Sequence, residues 1–497
     1  MSFSPLINLP IPIDKLLAAL PGELPVYLVG GAVRDILLDR EPNDLDFLLT
    51  GDVMVLSRRA ADVLGGAFFP LDKDRCFARV ILTRPDSAQF ILDFAPVKDG
   101  NLDADLRSRD FTVNAIAIDL RHPQVLIDPL RGAADLHAKH LVPCSQTSLS
   151  DDPVRVLRAV RMAVSFSLKI GPEMRSLVRN AAPLLPVVSL ERIRDEVFKM
   201  LGGPHPSTAL RLLEALGVLP YVFPELVTLK GVDQPPPHQL DVWNHTLDTM
   251  AKLEMVLSVL EREYDPDRSA NLMLGLAVLR LGRFRQQVSD HLETNFTPDR
   301  PLRPLLFLAA LYHDSAKPGT RQEDDRGRIR FLQHEQLGAG LVLQRGRKLR
   351  LSSDEITRLE MIVRGHMRPL LLAQAADQPT PRAVYRYFRD LGPSGIDICL
   401  LSLADTLATY GTSLPQETWS RLLDVVCSLF EAYWEKPEEK IAPAPLMDGH
   451  EVMSRFDLKP GPKIGELIEA LREAQAIGQV TSLEEAQIFI GQLLDQG

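Results

Sequence analysis

The chain has 497 residues, with 56 Lys and Arg against 66 Asp and Glu, so its formal net charge is -10. Hydrophobic residues make up 45% and charged residues 25%. This globular composition excludes a largely disordered chain, a collagen-like chain and a small disulfide scaffold. The acidic excess argues against a protein that coats nucleic acid through bulk positive charge, but it leaves local contacts with RNA open. At about 150 residues per domain, the length predicts roughly three domains.

Cysteines and apolar stretches indicate the compartment. The four cysteines form no C-x-x-C pair, so we expect neither a zinc ribbon nor a redox dithiol. Residues 1–20 lack the basic start and long apolar core of a signal peptide. The best apolar stretch, 304–312, is far shorter than the roughly 20 residues of a membrane span. We therefore expect a soluble, cytoplasmic protein without membrane contact; the sequence indicates no oligomeric state. The cysteines are Cys76, Cys144, Cys399 and Cys427.

The first part of the chain predicts a mixed α/β structure. A short buried strand at 26–29 ends at Gly30-Gly31, and a helical stretch follows over 32–38. From Asp152 onward, apolar residues recur at helical spacing, and nearly everything after that is predicted as helix and turn. The further strands and apolar runs of the first part are 45–49, 78–82, 90–94 and 113–120.

Breaks in the helical pattern suggest the domain boundaries. Three consecutive prolines at 235–237 can continue neither helix nor sheet and are the clearest linker. A second weak point is 436–445, with its prolines and charges. We predict an α/β head, an all-α neck, an all-α domain and a helical tail. Their predicted bounds are 1–145, 146–234, 235–415 and 416–497.

A pair of carboxylates follows the Gly-Gly turn. Asp44 and Asp46 enter an apolar strand two residues apart, so their side chains point to the same face. Neighbouring carboxylates repel unless a cation lies between them, and hard oxygen ligands suit Mg²⁺. Gly30-Gly31 ends a strand and opens a helix, which aims backbone N–H groups at an anion; Arg34 lies on that helix. A metal pair beside a phosphate cradle is what two-metal nucleotidyl transfer needs.

These residues match a known motif. Leu28-Val29-Gly30-Gly31-Ala32-Val33-Arg34-Asp35, followed by Asp44-Leu45-Asp46, resembles the first motif of the class II tRNA nucleotidyltransferases and bacterial poly(A) polymerases. These enzymes belong to the polymerase-beta-like nucleotidyltransferase superfamily, so the resemblance implies that fold for the head. Asp93, a single acid in an apolar strand, is either a third catalytic acid behind the metals or a strand-end acid that faces solvent.

A second segment is polar and then abruptly apolar. Residues 107–115, Arg-Ser-Arg-Asp-Phe-Thr-Val-Asn-Ala, taken alone, could simply cap a strand or helix. The segment resembles the second motif of the same family, Arg-Asp-Phe-Thr-x-Asn-Ala. The resemblance implies that Asp110 reads the ribose hydroxyl and that Arg109 and Asn114 support the triphosphate.

A third segment combines acids with an arginine stripe. Asp151 or Asp152 is predicted to cap a helix, with Pro153 in its first turn. Arg155, Arg158 and Arg161 recur three residues apart and share one polar face. A carboxylate with a guanidinium offers acceptors and donors in a fixed plane, as the edge of a base does. The alternative is a capped, salt-bridged helix with solvated arginines.

This segment resembles the Glu-Asp-x-x-Arg motif of the family, with Asp151 in place of the usual Glu. The resemblance implies that the protein itself acts as the template for CTP and then ATP. Asp152 and Arg155 would select the base, and Arg158 would help to hold phosphates. Arg161 continues the same stripe and is a further candidate nucleotide-binding residue.

Histidines and aspartates recur through the second half. Imidazole with carboxylate suits a transition metal such as Mn, Fe, Ni or Zn better than Mg. The alternative is that these side chains are simply packed or solvated on helices. The set resembles the HD phosphohydrolase superfamily, whose signature maps to His245, His313, Asp314 and Asp405. His334 and His366 fall where two-metal members carry extra histidines, and Lys317 is a candidate phosphate contact.

The leading interpretation is a tRNA nucleotidyltransferase that adds CCA, or part of it, to tRNA 3′ ends from CTP and ATP with release of pyrophosphate. The HD half resembles a metal-dependent 2′,3′-cyclic phosphodiesterase or phosphatase. One alternative is a bacterial poly(A) polymerase, which is disfavoured because 65–72 lacks that family's basic residues and no long basic tail follows. Another is an HD phosphohydrolase whose head only binds. Residues 72–79 are a candidate flexible loop for addition of the final A.

The neck differs in charge from the rest of the chain. Residues 151–201 hold nine Lys or Arg against six Asp or Glu, a local balance of +3. We therefore expect RNA binding that is local and salt-sensitive, and that depends more on shape than on bulk charge.

Overall fold

The structure is a computed structural model that describes residues 9–83, 89–264, 271–298, 300–376 and 378–495. The first eight residues of the N-terminal segment considered above lie outside this part of the chain. Two compact units are present. One comprises Met1–Ser189 with Leu213–Tyr221, and the other comprises Leu190–Leu212 with Val222–Gly497. The triple proline lies inside the second unit, and the four domain boundaries drawn from the sequence stay a prediction.

A seven-stranded mixed sheet organises the first unit, as the α/β pattern predicted. Its order is β3-β4-β5-β2-β1-β6-β7. Neighbouring strands are antiparallel except β2 and β5, which run parallel. The strands are β1 Val26–Val29, β2 Asp44–Leu49, β3 Ala67–Asp72, β4 Phe77–Thr83, β5 Gln89–Pro96, β6 Ala117–Asp119 and β7 Leu126–Ile127; a separate parallel pair is β8 His140–Leu141 and β9 Lys169–Ile170.

The two faces of this sheet differ. One face packs with the first helices into a large apolar core, in which the rings of Phe47 and Phe94 stack at 5.0 Å. The other face carries a smaller apolar cluster, with Val29 and Leu48, beside the acids of β2. The helices of this unit are α1 Ile13–Ala19, α2 Gly31–Leu37, α3 Val53–Leu64, α4 Leu102–Arg107, α5 Gly132–His137, α6 Ser148–Asp151, α7 Arg155–Ser165 and α8 Pro172–Ala181.

Among the described residues, the rest of the chain is mostly helical, as predicted, with two short pairs of antiparallel strands. The pairs are β10 Asn295–Thr297 with β11 Arg300–Pro301, and β12 Arg321–Glu323 with β13 Ile329–Phe331. The helices are α9 Leu190–Leu201, α10 Pro206–Ala215, α11 Leu219–Val222, α12 Val242–Val259, α13 Leu272–Leu281, α14 Arg285–Leu292, α15 Leu302–Tyr312, α16 Lys317–Thr320, α17 His334–Lys348, α18 Ser353–Gly365, α19 Arg368–Ala375, α20 Pro381–Leu391, α21 Ser394–Tyr410, α22 Gln416–Phe430, α23 Pro437–Lys440, α24 Gly449–Phe456, α25 Pro462–Ala476 and α26 Leu483–Asp495.

Two almost entirely buried helices form the centre of the second unit. α15 and α21 are buried on nearly every side, as expected of helices surrounded by others, and α21 carries the buried acids Asp397 and Asp405. α12 packs against both, and α18 also packs against both. The C-terminal helices α24, α25 and α26 share an apolar cluster of their own. Tyr385 on α20 donates a hydrogen bond to Glu469 on α25 (2.9 Å), which fixes this cluster to the rest of the unit.

Among the described residues, no single helix combines the length and apolar character of a membrane span. The bent pair Pro381–Leu391 and Ser394–Ser413, at 108° to each other, meets that test by length and composition alone.

Candidate functional site

Three acids meet on the open face of the head sheet. The parallel register of β2 and β5 sets Asp46 beside Asp93, and Asp44 lies on the same face two residues earlier. Burial, together with the charge of Asp44, raises the pKa of Asp46 to about 6, although Arg109 opposes this shift. The structure therefore brings the predicted acids together, and their catalytic role stays a prediction.

Asp93 has a partner that the sequence did not indicate. Arg79 donates two hydrogen bonds to its carboxylate, at 2.8 and 2.9 Å, from the opposing position on β4. Asp93 is therefore an ion-paired acid and not simply a solvated strand end. Correct pairing of the predicted strands would have revealed this contact, because cross-strand neighbours share a face.

A cavity of about 290 Å³ adjoins these acids. Asp46, Asp93 and Arg109 line it, together with Leu71 and Phe77 from the β3–β4 hairpin. The guanidinium Nε of Arg109 is buried without a hydrogen-bond partner among the described residues. The predicted loop at 72–79 is shorter in the structure, a turn over 73–76 between β3 and β4, and its role in addition of the final A stays a prediction.

Gly30 leaves space beside the acids. Its φ is +75°, and a Cβ there would lie 2.9 Å from Arg109 Nη1 and 3.4 Å from Asp46 Oδ2. Glycine is therefore required both by backbone conformation and by space. The expectation that the Gly30 N–H is directed at an anion is wrong, because it donates to the carbonyl of Ile116 (3.2 Å). Gly31 begins α2, and a Cβ there would lie 3.4 Å from Arg34.

Asp110 is held as a carboxylate inside the protein. It accepts hydrogen bonds from the Phe111 N–H (2.7 Å), Asn114 Nδ2 (3.1 Å) and Arg158 Nη1 (3.1 Å). Burial alone would raise its pKa, but the charge of Arg158 and these hydrogen bonds outweigh burial and lower the pKa. The second and third predicted segments thus meet at Asp110.

Arg34 is occupied by protein groups. Its guanidinium donates to Asp35 (2.8 Å) and to Asn114 Oδ1 (2.7 Å), and it lies 3.9 Å from the ring centroid of Phe166. Burial lowers its pKa, and the positive charge of Arg161 adds to that effect. Arg34 therefore orients Asn114 and Asp35, whereas the sequence placed it at the nucleotide.

The helix start in the third segment differs from expectation. The prediction that Asp151 or Asp152 caps the arginine helix is wrong. Asp151 ends α6, Asp152 is extended, and α7 begins at Arg155 after Val154 without a side-chain cap. Pro153 separates the two helices because it cannot continue the first.

Arg155 is braced by main-chain oxygens. It donates to the carbonyls of Ser108 and Arg109 (both 3.2 Å) and to Ser148 Oγ (2.8 Å). Its Nε is buried without a hydrogen-bond partner among the described residues and lies 3.7 Å from Asp152 Oδ2. The predicted base-selecting pair is therefore held together on a fixed support.

The turn that presents Asn114 rests on α5. Thr112 donates to Asp135 (2.6 Å), and a Cβ at Gly132 would lie 1.9 Å from the Thr112 carbonyl oxygen. We expect Gly132→Ala to cost about 3 kcal/mol through overpacking and to lower the melting temperature of this unit by roughly 5–10 °C. Gly22→Ala is the matched control, since nothing lies within 4 Å of its Cβ position. Equal melting of the two variants would contradict the prediction.

The second unit gathers all six predicted HD residues. They form two groups that share Asp314. His245, His313 and Asp314 make the first, and Asp314, His334 and His366 make the second, with the donor atoms of each group within 4.8 Å of one another. Asp405 joins the first group, its Oδ1 3.0 Å from His245 Nε2. All six residues are buried.

Hydrogen bonds to main-chain carbonyls orient three of these histidines. His313, His334 and His366 each place Nδ1 at 2.7–2.9 Å from a carbonyl oxygen three residues earlier. A carbonyl can only accept, so each Nδ1 donates and each ring turns its Nε2 towards the cluster. The Nε2 atoms of His334 and His366 lie 3.3 Å apart. Nitrogens this close can ligate the same cation.

Burial and charge act differently on two of these imidazoles. Burial opposes protonation of His313, but the charge of Asp314 and its hydrogen bond outweigh burial and raise the pKa of His313. Burial lowers the pKa of His366 to about 3, and the neighbouring charges of His313 and His334 add to the shift. Asp314 directs Oδ2 at His313 (3.2 Å) and Oδ1 at His334 (3.4 Å), so one carboxylate serves both groups. This donor set fits one or two divalent transition-metal ions.

Two further residues lie beside this cluster. Sequence reasoning did not identify His238, and it named Lys317 only as a candidate phosphate contact. His238 follows the triple proline, and its ring centroid lies 5.1 Å from that of His245. Burial lowers the pKa of His238 to about 4, and the charge of Lys317 adds to this. Lys317 itself lies 2.6 Å from Asp314 Oδ2 and donates to Gln234 (2.6 Å). The triple-proline segment therefore covers the HD cluster, a role that its linker-like composition hid.

Comparisons with known proteins agree along the chain. Residues 26–142 match the poly A polymerase head domain, 167–229 match the probable RNA and SrmB-binding site of polymerase A, and 279–410 match the HD domain. An A-adding tRNA nucleotidyltransferase of Deinococcus radiodurans is 35% identical over 93% of this chain and 94% of its own length.

A CC-adding tRNA nucleotidyltransferase of Geobacter sulfurreducens is 32% identical over 96% of this chain and 95% of its own length. A solved structure of a CCA-adding enzyme in an apo form has the same fold, with a TM-score of 0.58 and 20% identity over 97% of this chain and 93% of that chain. The chain therefore belongs to the family of tRNA nucleotidyltransferases that combine a poly(A) polymerase head domain with an HD domain.

Proposed function

We propose that this protein adds CCA, or part of it, to tRNA 3′ ends from CTP and ATP, with release of pyrophosphate. The observation that carries the proposal is the register that sets Asp44, Asp46 and Asp93 on one face beside Arg109. Such a face binds phosphates and the cations that accompany them. Both tRNA nucleotidyltransferases compared above support tRNA as the acceptor. The cytoplasmic location expected from the sequence stays a prediction.

The carboxylates of Asp44 and Asp46 fit Mg²⁺, because they are hard oxygen ligands whose charges repel each other without a cation. Gly30 has no Cβ, and this leaves space next to Asp46 Oδ2. When bound, Mg²⁺ supplies activation of the attacking hydroxyl and neutralises phosphate charge, with a second ion at the leaving group in the two-metal scheme. The chain itself supplies Arg109, which lines the same cavity as Asp46 and Asp93 and offers its guanidinium donors to phosphate oxygens.

Nucleotide choice depends on the segments that meet at Asp110. We propose that this carboxylate, kept ionised by Arg158, accepts the ribose hydroxyl. Asp152 and Arg155 select the base, because braced donors and acceptors cannot rearrange to suit a wrong partner without leaving a polar group unpaired. Arg34 acts as a positioning residue for Asn114, and Arg161 remains a proposed nucleotide contact.

The pKa of Asp46 predicts a pH-dependent effect of Mg²⁺. Because its folded-state pKa is about 6, above the usual 3.8, the apo protein loses stability as pH rises through that window, and a bound cation offsets the loss. We expect Mg²⁺ to raise the melting temperature by about 3 °C or more near pH 7.5 and by much less near pH 5. Thermal melts at both pH values test this. Asp46→Asn should remove the difference between them.

The nucleotides added identify the activity. Three tRNA samples, lacking CCA, CA or only A, are incubated separately with labelled CTP and ATP, and the products are read one nucleotide at a time. Addition of CCA, CC or a single A, with no further nucleotides, supports the proposal and shows which part of CCA the protein adds. Long A tracts on any RNA would instead identify a poly(A) polymerase, and no addition to any tRNA would refute both.

The HD cluster favours a second activity. We propose that His245, His313, Asp314 and Asp405 hold one divalent transition metal, and that His334 and His366 hold a second with Asp314. When bound, such a metal lowers the pKa of a water molecule and so supplies a nucleophile. Lys317, buried beside Asp314, offers a cation for a phosphate group. The proposed substrates are 2′,3′-cyclic phosphates or phosphate monoesters at RNA ends.

A further inference from the structure

The end of α17 carries an exposed basic turn that neither candidate site uses. Arg347 and Lys348 are exposed, and the side chain of Arg350 is 66% exposed. Residues 336–353 contain no Asp or Glu, although the whole chain has a net charge of -10. The fourth cation of this stretch, Arg345, is buried and paired with Glu225. Arg347, Lys348 and Arg350 are called the α17 basic turn below.

The helix does not need these cations to end. The last carbonyls, of residues 345, 346 and 347, already accept the N–H groups of Leu349, Leu351 and Arg350. Arg350 itself has φ +54°, the left-handed position after a helix where glycine is least costly. An arginine therefore stands where capping alone favours glycine, and the cap does not explain its side chain.

α9 holds the basic turn in place. Arg194 on α9 donates to the carbonyl of Arg350 (3.1 Å), and Arg350 Nε lies 3.9 Å from Glu191 Oε1. This exposed ion pair adds little stability. α9 also exposes Arg192 and Lys199, one helical repeat of seven residues apart and so on one face. The cations of α9, in the predicted RNA-binding neck, therefore lie on a helix that contacts the α17 basic turn of the HD region.

We propose that the α17 basic turn binds backbone phosphates of tRNA, so that the HD region contributes to holding the substrate of the head. The inference rests on the proposed tRNA nucleotidyltransferase function. Exposed cations are what phosphate contacts require, and among the described residues Arg350 meets only one exposed carboxylate partner, Glu191, at 3.9 Å. His334 of the HD cluster opens the same helix, about 20 Å away at 1.5 Å per residue. RNA bound at the turn thus lies along the surface that leads to the HD cluster.

The test measures binding of the full chain to a tRNA that lacks CCA, across a series of salt concentrations. We expect Arg347→Gln with Lys348→Gln to weaken binding roughly tenfold at low salt and to lower the slope of log K against log salt by about 1 to 2. KM for tRNA should rise while kcat stays unchanged. Arg350→Gly should weaken binding about threefold, with a melting temperature equal to or above that of the wild type.

Controls separate the two hypotheses. Arg421→Gln removes one exposed cation from α22 and should leave the salt slope unchanged. Wild-type binding with an unchanged slope in both basic-turn variants overturns the inference while the proposed function stands. A wild-type chain that neither binds tRNA nor adds nucleotides overturns the proposed function and this inference with it. A lower melting temperature for Arg350→Gly with normal tRNA binding would show that Arg350 only stabilises the turn, which contradicts its proposed contact with tRNA.

Discussion

Asp46→Asn is expected to reduce nucleotide addition to tRNA by about 1000-fold or more. The change keeps the shape of the side chain but removes the charge that binds and stabilises cations beside the reacting phosphates, an effect of about 4 kcal/mol on the barrier. Burial and the charge of Asp44 raise the pKa of Asp46 to about 6, so a cation beside it is needed to keep it ionised at lower pH. Single-turnover incorporation of labelled nucleotide into a truncated tRNA measures the effect.

Asp62→Asn provides the matched control, since Asp62 is an exposed acid on α3, outside the sheet face that carries the three acids. It should incorporate nucleotides at the wild-type rate. Binding of tRNA should be unchanged in both variants, because the acids of the head contribute no positive charge to RNA binding. Wild-type incorporation by Asp46→Asn would refute the catalytic role assigned to the β2 acids.

Asp314→Asn is expected to remove metal from both groups of the HD cluster. Its two oxygens face different histidines, Oδ2 towards His313 and Oδ1 towards His334, so one substitution weakens both sites. Hydrolysis of a 2′,3′-cyclic phosphate should fall by about 1000-fold, while nucleotide addition by the head persists. His366→Ala should reduce metal only in the second group, because His366 belongs to that group alone.

Metal content per chain, measured after dialysis against Mn²⁺ or Zn²⁺, checks this order. We expect the largest loss with Asp314→Asn, an intermediate loss with His366→Ala, and none with Asp354→Asn, an exposed acid in the first turn of α18. Persistent nucleotide addition and an unchanged circular dichroism spectrum show that the variants are folded. Equal metal content in Asp314→Asn and wild type would exclude the shared-carboxylate arrangement.

Strand periodicity was sufficient to place the head acids. Alternation put Asp44 and Asp46 on one face, and the predicted strands at 45–49, 78–82 and 90–94 lie within observed strands. Strand pairing could not be read from the sequence, so the contact between Arg79 and Asp93 was missed. β3, at Ala67–Asp72, was also missed, because its short segment contains Pro70 and is largely exposed.

Local rules failed where distant contacts decide the structure. The sequence predicts Pro153 in the first turn of the arginine helix. In the structure α7 begins only at Arg155, and Asp152, which lies before the helix, pairs with Arg155. The HD cluster assembles from three helices and the C-terminal ends of two others, all far apart in sequence, and only the resemblance to a family connected them. His238 escaped notice because nothing in its neighbourhood signals that the proline segment folds back over His245.

The hydrogen bonds of the three HD imidazoles have a consequence for how this site evolves. His313, His334 and His366 take their orientation from the main-chain carbonyl three residues earlier, and only His334 Nδ1 among the three also lies near a carboxylate, 3.4 Å from Glu335 Oε2. Neighbouring side chains can therefore be exchanged without turning the rings, as long as the backbone of each segment persists. Substrate preference is free to drift under mutation while the arrangement of the imidazoles survives, so a shared histidine pattern alone does not fix a shared substrate.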